Sequence, residues 1–280
     1  SLGAFALTEP AAGSDAANIQ TTAEIDGDDF ILNGSKIFCT NGDRADLTIV
    51  FATNDKNLGP MGGITAFLVE KNTPGFSVGK IEKKMGLKAS STAELIFENC
   101  KIPKSNVLGD VGAGFMVALT TLDGGRVSLA VGALGAAQRA LDICVEFLRK
   151  NQSEGGSLPN RQSIQWKLAD IAMEVYASKY LVYNNLVELE KYYKIIESRE
   201  KVPRRLRDSI SRGSAISKAY VTEVASRAIT RAIEIQGISG IKEGSDIERG
   251  FRDSFIAEIY EGTNDIQRMI IAKELLGLGL

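Results

Sequence analysis

The sequence predicts an α+β protein, with an antiparallel β-barrel or sandwich domain over residues 1–108 and an antiparallel four-helix bundle over residues 109–280. Short apolar runs separated by turn signals fill the first part, with no helical pattern between them. After Gly112, apolar residues recur at helical spacing over long stretches. The short connections between those stretches are typical of antiparallel neighbours in a bundle.

The strand prediction depends on alternation and on turn signals. The segment AEIDGDDFILNGSKIFCTNG, residues 23–42, alternates polar and apolar residues and carries Asp-Gly and Asn-Gly turns. The runs LTIVFAT and ITAFLVE are short and apolar, and they flank a loop rich in Gly, Asn and Pro. A further run, AELIFENCKIP, is predicted to end at Pro103.

Later stretches predict the helices. Residues 113–150 lack proline and contain ALGAAQRAL, whose small residues allow close helix contact. Helical spacing continues in two further stretches, at Ile164, Leu168, Ile171 and Val175 and at Ile216, Tyr220 and Val224. A final helix is predicted to begin near Thr263 and to end at Gly277, with Asp265 in its first turn and Lys273 near its end.

One segment is strongly basic. Residues 194–212, KIIESREKVPRRLRDSISR, hold seven Lys or Arg against three Asp or Glu, and Pro203 interrupts them. The segment is predicted to be a solvated helix end and loop. The alternative is a site for an acidic partner or a membrane surface.

Composition excludes several function classes. The net charge of 33 − 35 = −2 gives no sign of nucleic-acid binding, and the longest apolar runs are too short to span a bilayer. The sequence has no histidine, which excludes Ser-His-Asp and Cys-His catalysis and His-ligated metal sites. Cys39, Cys100 and Cys144 form no CxxC pair and predict buried thiols in a reducing compartment. A proton-transferring enzyme of this composition needs a carboxylate, lysine or tyrosine as its base, or a bound group.

Two segments of the first part are candidate ligand sites. In LTEPAAGSDAAN, residues 7–18, Thr8 and Ser14 carry hydroxyls around small residues, so that backbone N–H groups can approach an anion. A tight turn is the alternative. In IFCTNG, residues 37–42, Phe38 and Thr40 are predicted to share one strand face, where a planar ring can be contacted. The alternative there is a core strand that ends in an Asn-Gly turn.

The segment EIYEGTNDIQR, residues 258–268, places a carboxylate at a helix start. Gly262 permits backbone conformations closed to other residues, and Thr263 is a good N-cap. Glu261 is therefore predicted to lie at the mouth of a helix, facing a cleft. The alternative is an acidic residue that complements the helix dipole.

Taken together and in this order, these motifs resemble the acyl-CoA dehydrogenase family. The three that carry the resemblance are TEPAAGSD, FCTNG and YEGT, at residues 8–15, 38–42 and 260–263. Supporting matches are KMGLKASSTAELIFENCKIP (84–103), LDGGR (122–126), ALGAAQRAL (133–141) and RD (252–253). The resemblance covers essentially the whole chain. The family also has an N-terminal helical domain, which this chain is expected to lack as a fragment.

The resemblance implies an FAD enzyme that forms an α,β double bond in an acyl-CoA thioester. Glu261 matches the family's base, which removes the α-proton while the β-hydrogen leaves as hydride to flavin N5. The backbone N–H of Glu261 helps to polarise the thioester carbonyl. Electron-transfer flavoprotein is the implied acceptor, a homotetramer the implied assembly, and the prokaryotic cytoplasm or the mitochondrial matrix the implied location.

The resemblance also implies two sets of binding residues. Substrate is expected at Ser14, Tyr260, Glu261 and Gly262. The flavin is expected at Leu7, Thr8, Gly13, Ser14, Phe38, Thr40, Gly237, Thr263 and Asp265. No metal is expected.

Some family members carry the base one residue before the arginine of the LDxxR stretch, where this chain has Gly125. The carboxylate role therefore falls to Glu261, and LDGGR resembles short-chain members. A helix terminus lowers the pKa of Glu261 only slightly. Desolvation by the flavin and the acyl chain raises the pKa of a buried carboxylate by far more, so burial is predicted to outweigh the helix terminus.

The chain departs from the family around the cofactor. The family's Arg-x-x-Phe-Gly aligns with a stretch containing Asn151 and Glu154, so its arginine and phenylalanine are absent unless a shift places Arg149 there. The family's usual Gln before GGxG aligns with Glu234. Neutral and acidic side chains near a pyrophosphate are expected to weaken its binding. A non-catalytic binding or assembly subunit is therefore the alternative function. An oxidase, or a reductase working in reverse, shares every residue named above.

Overall fold

A computed structural model describes residues 1–278, which form two compact units, the first ending at Thr121 and the second beginning at Leu122. The strands are β1 Gly3–Ala6, β2 Thr22–Asp26, β3 Asp29–Thr40, β4 Leu47–Thr53, β5 Ile64–Glu70, β6 Phe76–Ile81 and β7 Thr92–Pro103. The helices are α1 Pro60–Gly63, α2 Gly114–Ser153, α3 Gln162–Glu197, α4 Arg204–Gln236, α5 Asp246–Ser254 and α6 Asn264–Leu276.

The first unit is built on one seven-stranded sheet with the order β1-β4-β2-β3-β7-β6, and β5 pairs with β4. The sheet is mixed, because β1 and β2 both run parallel to β4. The prediction of purely antiparallel pairing is wrong in this detail. The parallel pairing is possible because β2 and β3 lie between β1 and its partner β4 in the sequence, so no hairpin joins the two strands.

The two twelve-residue strands, β3 and β7, form the longest ladder of the sheet. Its register shifts twice, between Leu32 and Gly34 and between Lys36 and Cys39. Such bulges re-aim the side chains beside them. The core of the unit includes Ala6, Phe30, Leu32, Val50, Phe67, Leu95 and Phe97.

The second unit is helical. Alanines on one face of α2 pack against aliphatic residues of α3 and α4, as the small-residue pattern predicts; the core includes Ala130, Ala133, Ala137, Ala140, Ile171, Val175, Val221 and Val224. Helix α6 begins after the N-cap Thr263, whose Oγ1 accepts from the Ile266 N–H at 3.3 Å. It ends at Gly277, which has a left-handed φ of 66°. The predicted bounds of this last helix are confirmed.

Helix α2 is long and apolar enough to cross a membrane by length and composition alone. The helix nevertheless carries a buried arginine, Arg126, and lines the core with its alanines. These features are typical of a core helix in a packed bundle.

The basic segment 194–212 spans the end of α3, a loop and the start of α4. Three of its apolar residues, Val202, Leu206 and Ile210, pack with neighbouring side chains in a cluster that also contains Val127, Leu186, Leu189 and Tyr192. Lys194, Arg204 and Arg205 stay exposed. The segment is thus a packed helix–loop–helix end with a solvated basic face.

Candidate active site

Glu261 lies in a strained turn just before α6. Its φ is 59°, and that of the next residue, Gly262, is 84°, so two successive residues are left-handed. A left-handed conformation costs a non-glycine residue about 1–2 kcal/mol. Strain of this kind persists where the surroundings over-determine it and clusters at functional sites.

Two buried side chains hold the turn in place. Arg126 of α2 donates from Nε to the Glu261 carbonyl at 3.2 Å. Gln267 of α6 donates from Nε2 to the carbonyls of Glu261, at 3.1 Å, and of Gly262, at 2.9 Å. Both donors belong to helices packed in the second unit, so the turn is held against the helices α2 and α6.

The carboxylate of Glu261 lies against Gly125 of α2. A Cβ atom at position 125 would come within 2.6 Å of Oε2 and 3.1 Å of Cδ. A contact of 2.6 Å is shorter than real Cβ atoms make, so a side chain at position 125 would force the Glu261 carboxylate to shift from its observed place. The adjacent Gly124 is covered by the hydroxyl of Tyr193, which would lie 2.5 Å from a Cβ there.

Burial raises the pKa of the Glu261 carboxyl, against the opposing charges of Arg126 and Lys218. Burial within the chain alone outweighs these charges, which come from side chains and not from the helix terminus. The further desolvation expected from the flavin and the acyl chain stays a prediction. Burial also raises the pKa of Asp123, which accepts a 2.9 Å bond from Arg126 Nη1. A carboxylate with a raised pKa is a stronger proton acceptor than a free one, which suits it to act as a base.

In the first unit, the loop after β1 is fixed to β3. Lys36 Nζ donates to the Leu7 carbonyl at 3.1 Å and to Glu9 Oε1 at 2.6 Å. The Ile37 N–H donates to the Thr8 carbonyl at 2.8 Å. Leu7 and Thr8 are thereby held beside the part of β3 that carries Phe38.

The remaining predicted flavin residues of this unit are open to solvent. Phe38 is 61% exposed and has a φ of 57°, where the β3 register shifts. Thr40 is exposed with it, on either side of the buried Cys39. Gly13 and Ser14 are exposed after a turn, and no atom lies within 4 Å of a Cβ built at Gly13. An exposed aromatic side chain on a strained backbone is unusual for a packing residue.

The predicted residues of the second unit fall into two places. Tyr260, Gly262, Thr263 and Asp265 surround Glu261 on the turn and at the start of α6. Gly237 stands apart, as the left-handed C-cap of α4 with a φ of 59°. Within residues 1–278 no group of three or more His, Cys, Asp or Glu is arranged to hold a metal. The three cysteines are buried and free, as predicted.

The residues that depart from the family pattern have local partners. Asn151 accepts the Leu158 N–H at 3.2 Å and so closes the loop after α2. Glu154 is 3.9 Å from Lys150, and Glu234 forms an ion pair with Lys167. These side chains thus contribute to local structure within the bundle.

Three buried residues of the site were not assigned a role from the sequence. Arg126 lies in LDGGR and Gln267 in EIYEGTNDIQR, so both belong to motifs described above. Gln267 is six positions from Glu261 and could have been considered as a partner of the turn, whereas Arg126 is 135 positions away and its contact depends on how α2 packs. Lys218 lies in the middle of α4 and carried no signal, because its burial depends on α6 packing over it.

Two family models match the chain. The model for the acyl-CoA dehydrogenase middle domain matches residues 4–100, and the model for the acyl-CoA dehydrogenase C-terminal domain matches residues 112–276. The chain belongs to the acyl-CoA dehydrogenase family. It is an oxidoreductase of the acyl-CoA dehydrogenase type.

Relatives of similar sequence and fold agree with this assignment. The short-chain specific acyl-CoA dehydrogenase of Megasphaera elsdenii is 44% identical over 276 residues, covering 98% of this chain and 68% of that protein. The structure of butyryl-CoA dehydrogenase from Megasphaera elsdenii has a TM-score of 0.87 at 43% identity, covering 98% of this chain and 68% of that one. A chain in a structure described as the electron transferring flavoprotein of Acidaminococcus fermentans gives the same four values.

The chain spans about two thirds of the length of these relatives. The α+β class and the predicted family are confirmed by the matches.

Proposed function

We propose that the protein dehydrogenates a short-chain acyl-CoA thioester between its α and β carbons with FAD as cofactor, and that Glu261 is the base. The observation that carries this proposal is the position of the Glu261 carboxylate, buried against Gly125 with a raised pKa. Similarity to a short-chain specific enzyme and to butyryl-CoA dehydrogenase supports the substrate class.

The turn defines how Glu261 works. Its carboxylate takes the α-proton of the thioester, and its raised pKa favours that transfer. Arg126 and Gln267 both donate to the Glu261 carbonyl, so they hold the peptide unit from which the carboxylate projects. The Glu261 N–H, presented by the left-handed turn, donates to the thioester carbonyl and stabilises the charge that develops there.

The exposed residues of the first unit fit a flavin. Phe38 offers an aromatic face, Thr40 a hydroxyl, and the open space at Gly13 admits a bulky group to the backbone. The residues proposed to hold FAD are Leu7, Thr8, Gly13, Ser14, Phe38, Thr40, Gly237, Thr263 and Asp265. When bound, FAD supplies the acceptor for the hydride that leaves the β-carbon.

Further parts of the proposal concern the assembly and the acceptor. Tyr260 and Gly262 adjoin the base, and together with Ser14 they are proposed to contact the substrate. The likeness to a chain in an electron transferring flavoprotein structure supports a flavoprotein of that kind as electron acceptor. A homotetramer in the bacterial cytoplasm or the mitochondrial matrix completes the proposal.

A non-catalytic binding or assembly subunit is the second candidate function. The substitutions at Asn151, Glu154 and Glu234 favour it, because they remove the family's cation and amide near the cofactor. The intact turn at Glu261 favours the dehydrogenase, since a subunit without chemistry has no need of a buried, strained carboxylate.

An absorbance spectrum of the full-length protein separates the two. Saturated acyl-CoAs of several chain lengths are added without oxygen, and the flavin band is followed. Bleaching by four-carbon and similarly short thioesters is the expected result. A colourless protein that fails to take up added FAD contradicts the dehydrogenase and supports the binding subunit.

A further inference from the structure

Lys218 is a fully buried lysine beneath the candidate active site. Its relative exposure is 0%, and it lies in the middle of α4. Nζ donates to Asn264 Oδ1 at 2.8 Å. Asn264 is the first residue of α6, three positions after Glu261, so this bond ties α4 to the end of the strained turn.

Asn264 is oriented by further bonds to α4. Its Nδ2 donates to Thr222 Oγ1 at 3.1 Å, to Glu223 Oε1 at 3.2 Å and to the Ala219 carbonyl at 3.4 Å. With its amide nitrogen used in this way, Asn264 presents its oxygen to Lys218. The arrangement therefore specifies a donor at position 218, and a neutral amide can satisfy it as well as an ammonium.

The buried charge itself needs an explanation. Among residues 1–278 no carboxylate lies within 4.0 Å of Nζ, so Lys218 has no direct ion-pair partner. A buried ammonium without such a partner is costly. Arg126, the other buried cation of the site, differs because Asp123 neutralises it at 2.9 Å.

The charged groups that act on Lys218 come from several elements. Arg126 on α2 repels it, while Glu223 on α4, Glu258 on the short helix before the turn, and Glu261 attract it. Burial and Arg126 lower the pKa of Lys218 to about 8. In return, Lys218 and Arg126 lower the pKa of Glu261 against the effect of burial. The unneutralised ammonium is thus coupled to the proposed base.

We propose that Lys218 is a positioning residue for the base: its ammonium anchors Asn264 at the start of α6 and supplies the positive charge that keeps Glu261 ionised when substrate arrives. This inference rests on the proposed function of Glu261. The charge of Lys218 allows the Glu261 carboxylate to be buried, which makes it a stronger base, and still to be ionised at neutral pH.

Two substitutions in the full-length protein test the proposal. Lys218→Met removes the charge and the hydrogen bond, and Lys218→Gln removes the charge but keeps a donor for Asn264. In both, the acid limb of the rate–pH profile is expected to move to higher pH by about half a unit or more. Lys191→Met, an exposed lysine paired with Glu188 on α3, is the matched control and is expected to leave the profile unchanged.

A second readout does not depend on turnover. The carboxyl of Glu261 is titrated by NMR in protein labelled with carbon-13 at glutamate carboxyls, and its signal is assigned by its loss in Glu261→Gln. An upward shift of the midpoint in both Lys218 variants supports the proposal. An unchanged midpoint, or a shift in Lys218→Met alone, overturns it.

The two proposals fail in different ways. If Glu261→Gln keeps full turnover, the proposed function is wrong whatever the titration shows. If Glu261→Gln is inactive and the Lys218 variants titrate like the unaltered protein, only the role of Lys218 is wrong.

Discussion

Gly125 and Glu261 occupy one space: a Cβ atom on Gly125 would lie 2.6 Å from Oε2 of Glu261. The two residues are 136 positions apart in the sequence, yet they lie in contact in the fold. The Glu261 carboxylate can keep its observed place only while no side chain projects from position 125.

Gly125→Ala is therefore expected to displace the carboxylate while the helix persists. A misplacement of the order of 1 Å costs a catalytic group about a hundredfold in rate. We expect turnover to fall by about tenfold to a hundredfold, with the α-helical circular dichroism signal retained. Steady-state kinetics of the full-length protein with a four-carbon acyl-CoA measures this.

Gly132→Ala is the matched control in the same helix. No atom lies within 4 Å of a Cβ at Gly132, and the residue is exposed. Alanine is a better helix former than glycine by about 1 kcal/mol, so Tm is expected to rise slightly with no loss of activity. Equal losses in both alanine variants would contradict the contact between Gly125 and Glu261.

Gln267→Leu is expected to loosen the turn. The variant loses the Gln267 Nε2 donor that bonds the carbonyls of Glu261 and Gly262. The Glu261 carbonyl keeps its bond from Arg126, whereas the Gly262 carbonyl loses the Gln267 bond. A buried carbonyl left unsatisfied costs about 1–3 kcal/mol. Part of this is offset, because Gln267 Oε1 is itself buried without a protein partner within residues 1–278.

Chemical denaturation of Gln267→Leu measures the change, with Gln138→Leu as its control. Gln138 is exposed on α2, where its Nε2 donates to Asp142 Oδ1 at 2.9 Å. The control is expected to stay within about 0.5 kcal/mol of the unaltered protein. A Gln267→Leu variant as stable and as active as this control would show that the amide does not hold the turn.

The buried Lys218 predicts a specific pH dependence of stability. Its pKa is about 8 in the folded chain and ~10.4 when unfolded. Between these values the unfolded chain binds a proton that the folded chain has lost, so the free energy of unfolding rises with pH across this window. The contribution is fully present above the unfolded pKa and is lost as pH falls through about 8.

Comparison with Lys218→Met isolates this effect from other titrating groups. The gain in unfolding free energy between pH 7 and pH 10.5 is expected to be larger in the unaltered protein, by at most about 3 kcal/mol. Urea denaturation at a series of pH values measures it. Parallel curves for the two proteins would show that the pKa of Lys218 does not change on folding.

The sequence predicted most elements of the fold because they depend on local patterns, whereas the assignment of Glu261 as the base came from the family resemblance and stays a prediction. Alternation marked β3 and β7, helical spacing marked α3 and α4, and Thr263 and Gly277 marked the ends of α6. It could not predict the parallel pairing of β1 with β4, since strand order depends on long-range packing.

The environment of Glu261 was only partly predictable. Its burial and raised pKa were expected, and Gly125 was recognised as unable to serve as the base. That Gly125 makes room for the carboxylate, and that Lys218 lies buried nearby, depends on how α2, α4 and α6 pack. The roles proposed in flavin binding for the exposed residues Gly13, Ser14, Phe38 and Thr40 remain predictions.

Turnover by Glu261→Gln tests the central claim most directly. The full-length variant, loaded with FAD, is mixed with a four-carbon acyl-CoA in the absence of oxygen, and the rate of flavin bleaching is compared with that of the unaltered protein. Because general-base catalysis contributes about 10²- to 10⁴-fold, the rate is expected to fall by that factor while FAD stays bound. Bleaching at the unaltered rate would contradict the assignment of Glu261 as the base.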